Sequence, residues 1–262
     1  MRVWTIANQK GGVGKTTTTV ALGGLLADRG KRVLLVDIDP HASLTYYFGI
    51  DSEHLELSAF DVFTQNAGMT AEQFMQALQP TAVKNLDVLP STMALATLDR
   101  KLGTQSGMGL ILKKALHQVR QEYDYVLIDV PPVLGVLMVN AIAACQRILI
   151  PVQTEFLALK GLERMMRTLT LIANSRQQQH PYTIVPTLYD RRTNASMQAH
   201  QRLRELYGEH VWNGMIPVDT KFRDASRAQQ VPSQFAPKSR GVLAYQSLLT
   251  HVLQLDKAGE RL

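Results

Sequence analysis

The sequence predicts an α/β fold, a doubly wound, mostly parallel sheet flanked by helices. Three observations lead there. Short, nearly continuous apolar runs recur along the chain, as strands buried on both faces require. Longer amphipathic stretches separate most of them, which implies right-handed helical crossovers between parallel strands. The first apolar run passes through a glycine-rich turn, "NQKGGVGKTTTT" at 8–19, straight into a helix-forming stretch.

The elements follow in order. "RVWTIAN" (2–8) is rich in β-branched and aromatic residues and reads as the first strand. "KTTTTVALGGLLADRG" (15–30) places Val20, Leu22, Leu25 and Leu26 on a buried helix face, with Gly30 suited to end it. "RVLLVDID" (32–39) is the second strand. Residues 51–85 are the least regular part and read as a peripheral helical insertion. Strand-like runs return at 86–90, 123–132, 146–153, 182–190 and 210–217, with helices expected at about 107–121, 155–175, 196–207 and 241–255.

Composition bounds the rest. The 262 residues are 45 % hydrophobic and 19 % charged, which excludes a disordered or fibrous chain and fits a single domain over 1–262. The one cysteine, Cys145, excludes an internal disulfide, a cysteine-based zinc site and an iron–sulfur cluster. No apolar run reaches the roughly 18 residues of a membrane span, and the opening residues lack a signal-peptide pattern, so a cytoplasmic protein is expected. The net charge of +6 is unevenly placed: residues 1–150 hold 13 basic and 13 acidic side chains, residues 151–262 hold 15 and 9. A basic C-terminal part points to a polyanionic partner.

The glycine-rich turn carries the chemistry. Gly11, Gly12 and Gly14 lack Cβ atoms, so the backbone N–H groups around them, with that of Val13, can close on a phosphate. Lys15 can reach β- and γ-phosphates, and the Thr16 hydroxyl, followed by Thr17, can ligate Mg²⁺ at the helix N-terminus. A phosphate-bearing nucleotide with Mg²⁺ is therefore the expected ligand, and the resemblance given next implies ATP. Two strand ends add carboxylates: Asp37 and Asp39 before Pro40, and Asp129 before Pro131 and Pro132. Carboxylates at the C-terminal ends of parallel strands stand where α/β sheets bind ligands.

The loop departs from a plain Walker A pattern, with Gln9 at the usual first glycine and a second lysine, Lys10. "KGGVGKTT" resembles the signature of the deviant Walker A ATPases, the ParA/MinD family, and the resemblance runs from about residue 2 to 255. It implies a P-loop NTPase fold and an ATP-sandwich homodimer in which Lys10 contacts the nucleotide of the other subunit. It implies further that Asp39 positions the attacking water, that Asp37 lies near the Mg²⁺ shell, and that Asp129 holds Mg²⁺. Thr187, Pro217 and Val218 would border the base. "DIDPHASLT" departs from the family's D-x-D-P-Q-G-N at His41, Ala42 and Ser43, and Val218 stands where an arginine is usual.

The resemblance also implies a weak ATPase that positions or partitions a cargo, with a protein partner that links to the cargo or stimulates hydrolysis. The sequence looks most like relatives that place chemotaxis arrays; chromosome or plasmid segregation is the alternative cargo. Nonspecific DNA binding is expected through Arg191, Arg192, Lys221, Arg223, Lys238 and Arg240, with Arg227 nearby, read as loop residues of the basic part. A membrane-bound, MinD-like ATPase is a further alternative. It is disfavoured because the tail helix sets its apolar stripe (Val242, Leu243, Leu248, Leu249, Val252, Leu253) against Gln, Ser, Thr, His and mixed charge rather than a basic face.

Overall fold

A computed structural model describes residues 1–65, 69–98 and 108–259. Its seven-stranded sheet has the order β3-β4-β2-β5-β1-β6-β7. The strands are β1 (Arg2–Ile6), β2 (Val33–Asp37), β3 (Gln79–Pro80), β4 (Leu86–Leu89), β5 (Tyr125–Asp129), β6 (Arg147–Gln153) and β7 (Tyr182–Thr187). All neighbours pair in parallel except the short edge strand β3, which runs antiparallel to β4.

Strand alternation divides the core between the two faces of the sheet. Trp4, Ile6, Val33, Leu35 and Leu127 join one cluster, with the helices Lys15–Asp28 (α1) and Arg240–Gly259. Val3, Leu34, Val36, Val126 and Ile128 join the other, with Ile111–Gln118, Val136–Ala144 and Phe156–Arg176. Helix α1 ends as its sequence suggests. Gly30 takes φ +74°, its N–H bonds to Ala27 O and that of Lys31 to Leu26 O, closing a Schellman turn.

Several elements differ from the sequence reading. Residues 210–217 form no strand. Two isolated bridges, Ile184 to Val211 and Tyr189 to Pro217, mark its ends, and between them the Trp212 ring folds onto Gly214, where a Cβ would lie 2.3 Å from the ring. Helix Val136–Ala144 carries no amphipathic stripe because it is covered on nearly every side, so periodicity could not reveal it. The expected insertion is not peripheral: the helices Ala59–Gln65 and Ala71–Gln76 bury Val62, Phe63 and Phe74 in the main core. The expected 107–121 helix is Ile111–Gln118 after a 3₁₀ turn at Met108–Leu110, and residue 107 lies outside the described residues.

The C-terminal helix buries Val242, Leu248, Leu249 and Val252, whereas Leu243 is exposed. A polar node holds its far end. Asp256 accepts hydrogen bonds from Trp4 Nε1 (2.9 Å) and Arg147 Nε (2.7 Å), with both ionic side chains about nine-tenths buried. Cys145 is buried, and burial pushes its thiol up to about 12, so it is inert. No helix among the described residues is long and apolar enough to cross a membrane.

Candidate nucleotide site

The site forms at the C-terminal ends of β1, β2 and β5. After β1 the chain turns through residues 7–14 into α1. Neighbouring strands clamp this loop. Asn8 Nδ2 donates to Pro151 O (2.7 Å), Asn8 Oδ1 accepts from Lys10 N (3.0 Å), and Thr187 Oγ1 donates to Val13 O (2.8 Å). Gly12 and Gly14 adopt φ +74° and +90°, a region where a side chain would be strained. A Cβ at Gly11, Gly12 or Gly14 would meet nothing within 4 Å, so the loop's backbone faces open space at the helix N-terminus.

Lys15 is only 8 % exposed. Burial pushes its amine below the usual lysine range, and Asp129 and Asp39 nearby partly offset this. Asp129 Oδ2 accepts from Thr16 Oγ1 at 2.6 Å, while Asp129 Oδ1 is buried with no hydrogen-bond partner. Asp37 stands beside Asp129 across the β2–β5 pair. Burial, reinforced by Asp37, raises Asp129 to about 8 against the opposing pull of Thr16 and Lys15. Burial raises Asp37 to about 7, against hydrogen bonds from Thr45. Two buried carboxylates side by side therefore retain protons that exposed ones would lose.

These residues fit Mg²⁺. An unpartnered carboxylate oxygen next to a threonine hydroxyl, below an open cradle of backbone N–H groups, offers hard oxygen donors on one side only. Among the described residues no group of three or more His, Cys, Asp or Glu could hold a metal. Mg²⁺ needs no such cage, because water and phosphate oxygens complete its shell. Asp37 is the more committed carboxylate: its Oδ2 accepts from Thr45 N (2.8 Å) and Oγ1 (2.7 Å), and its Oδ1 from Asp39 N (3.1 Å).

Asp39 lies past the end of β2 and walls a cleft of about 850 Å³ together with the glycine loop, Lys15, Thr16, His41 and Arg223. A smaller adjoining pocket of about 150 Å³ has Thr17, Thr187, Pro217, Val218, Phe222 and Tyr245 on its walls. All three base-pocket candidates are there, although the Thr187 hydroxyl is spent on Val13. Phe222, Tyr245 and Leu188 were missed. Leu188 borders both cavities at φ +52°, and Tyr245 hydroxyl bonds Thr18 at 2.9 Å. Lys10 is not on the cleft wall of its own chain: its ammonium pairs with Glu155. Nothing in the sequence signalled Glu155, which meets Lys10 only through the β1–β6 neighbourhood.

The DNA candidates Arg191, Arg192, Lys221, Arg223, Lys238 and Arg240 are all exposed. Lys221, Arg223 and Arg227 lie on a helix, Lys221–Arg227, and Arg240 opens the helix Arg240–Gly259, rather than in loops; Arg223 and Arg227 border the cleft. Arg192 forms a two-pronged pair with Asp190, and Lys221 pairs with Asp224 at 3.2 Å.

Sheet order, glycine loop and strand-end aspartates define a P-loop NTPase. Residues 1–180 match the family described as an AAA domain. The sporulation initiation inhibitor protein Soj of Bacillus subtilis is 37 % identical over 257 residues, covering 96 % of this chain and 98 % of that one. The chromosome partitioning protein ParA of Caulobacter vibrioides is 35 % identical over 260 residues, covering 98 % and 96 %. A solved structure of cobyrinic acid a,c-diamide synthase from Mycobacterium smegmatis with bound ADP and magnesium matches with a TM-score of 0.82 and 33 % identity, covering 99 % and 96 %. The chain belongs to the ParA/MinD family of P-loop ATPases.

Proposed function

We propose that this protein is an ATP-dependent positioning switch. It binds Mg-ATP, pairs as an ATP-sandwich homodimer, hydrolyses ATP slowly and partitions a cargo. The observation that carries this reading is the placement of Lys10. The loop's second lysine pairs with Glu155 rather than with the aspartates of its own site, which supports the reading that it serves a nucleotide held by a second copy. Neighbouring segments also carry exposed apolar side chains: Phe156 (72 %) and Leu157 (67 %) follow Glu155, and Val133 (60 %) follows the Asp129 strand end. Exposed apolar side chains of this size suit a partner surface.

The roles assigned here are those the resemblance implies, and the geometry supports them. Gly11, Gly12, Val13, Gly14 and Thr17 cradle the phosphates, and Lys15 supplies charge at the β/γ position. Thr16 and Asp129 would hold Mg²⁺, with Asp37 beside them fixing the Thr45 turn. Bound Mg²⁺ neutralises phosphate charge. Asp39 orients the attacking water, and Pro217 and Val218 border the base. Slow turnover is the expectation, because the glycine loop itself carries no general base.

DNA without sequence preference is the proposed track, and chemotaxis arrays the proposed cargo, with chromosome or plasmid segregation as the alternative. The relatives named for partitioning support the coarser reading. The membrane reading is weakened by the C-terminal helix, whose apolar face and Asp256 are spent on the domain. The test is sedimentation with Mg-ATP. Wild type and Asp39→Ala dimerise, Asp39→Ala more persistently, whereas Lys10→Ala stays monomeric while still binding ADP. A Lys10→Ala protein that dimerises and turns over normally would sink the proposal.

A further inference from the structure

The β2 strand end holds a contact that the phosphate chemistry above does not use. Asp39 Oδ1 accepts two hydrogen bonds from His41, one from the backbone N–H and one from ring Nδ1, each 3.0 Å. Both side chains wall the cleft beside the glycine loop. Hydrogen bonds hold the turn between them. Ala42 N–H closes it on Asp39 O at 2.8 Å, Ala42 is buried at φ +53°, and Ser91 Oγ donates to Asp39 O at 2.6 Å. A carboxylate only accepts, so the ring must carry its proton on Nδ1 to make this bond. Among the described residues no side chain or backbone donor occupies Asp39 Oδ2. One oxygen is thus tied down and the other is left for water.

We propose that His41 is a positioning residue for Asp39, its Nδ1–H fixing the carboxylate so that the second oxygen faces the water in the phosphate cleft. This rests on the reading of Asp39 as the residue that orients the attacking water. A carboxylate free to rotate about its side-chain torsions would present that oxygen in the productive direction only part of the time, and orientation of this kind acts on kcat rather than on ATP affinity. His41 is 74 % exposed and Asp39 only 14 %, so His41 can be changed with little effect on the core.

Single-turnover and steady-state ATP hydrolysis would be measured for His41→Ala, His41→Asn, Asp39→Ala and the double variant His41→Ala/Asp39→Ala. An asparagine amide can donate from the place of Nδ1. Loss of one charge-assisted hydrogen bond corresponds to about a tenfold fall in kcat for His41→Ala with KM for ATP unchanged, and His41→Asn should recover most of it. In the Asp39→Ala background His41→Ala should add nothing. Nucleotide-free protein gives a second readout: ¹H–¹⁵N correlation of the imidazole should show the Nδ1–H tautomer in wild type and its loss in Asp39→Ala. Wild-type kcat in His41→Ala, no recovery by asparagine, or a tautomer indifferent to Asp39 would overturn the proposal. Wild-type turnover by Asp39→Ala would instead remove the reading on which it rests.

Discussion

Replacing Asp129 with asparagine should change how stability depends on pH. In the nucleotide-free protein burial and Asp37 hold the Asp129 carboxyl at about 8, and burial holds Asp37 at about 7. In the unfolded chain both titrate in the usual carboxylate range. Between pH 5 and 7 the folded protein therefore binds protons that the unfolded chain has released. A raised folded pKa confers stability that is full at low pH and is lost as pH climbs toward the folded value. One such proton costs about 1.4 kcal/mol per pH unit, so Asp129 accounts for a loss of about 3 kcal/mol across that window. For a chain of this size that is roughly 6–12 °C in Tm. The asparagine would keep an acceptor for Thr16 and abolish the ionisation. Thermal unfolding by circular dichroism at pH 5, 6 and 7 should show the variant gaining on wild type by that amount. His200 and His251, whose burial lowers their proton affinity, titrate in both proteins and cancel in the difference. Mg²⁺ with ADP should stabilise wild type at pH 7 more than it stabilises the variant. A constant difference across pH would refute the buried-pair argument.

Two further outcomes can be checked. Asp256→Ala leaves Arg147 buried without its carboxylate and Trp4 Nε1 without an acceptor, so urea unfolding should report a loss of about 3 kcal/mol, with Asp256→Asn losing less; a loss under about 0.5 kcal/mol would mean the node is solvated. If the dimer binds DNA through the basic part, the salt dependence of mobility shifts should flatten for Lys238→Ala and Arg191→Ala, by about 0.9 log units for each phosphate no longer neutralised. Arg192→Ala and Lys221→Ala should matter less, because Asp190 and Asp224 already engage those cations; equal effects from all four would contradict the ion-pair geometry.

The phosphate loop was legible from its residues alone because its chemistry is local. Three glycines, Lys15 and Thr16 lie within a few positions of one another, and the apolar runs on either side announce strand and helix. The strand-end aspartates were legible for the same reason. What the tertiary structure decided is which distant residues meet. Pairing of β2 with β5 sets Asp37 beside Asp129; burial there raises both carboxyls, and Asp37 adds to the rise of Asp129. The position of β1 between β5 and β6 brings Glu155 to Lys10, 145 residues away, and Thr187 to Val13, 174 residues away. The C-terminal helix returns Asp256 to Trp4 across 252 residues. The contact between His41 and Asp39 is short-range, yet it depends on a left-handed Ala42 that no periodicity announces. Hydrophobic period tells each segment which face to bury, but strand order chooses the neighbour on that face, and burial beside that neighbour sets the charge state of the site.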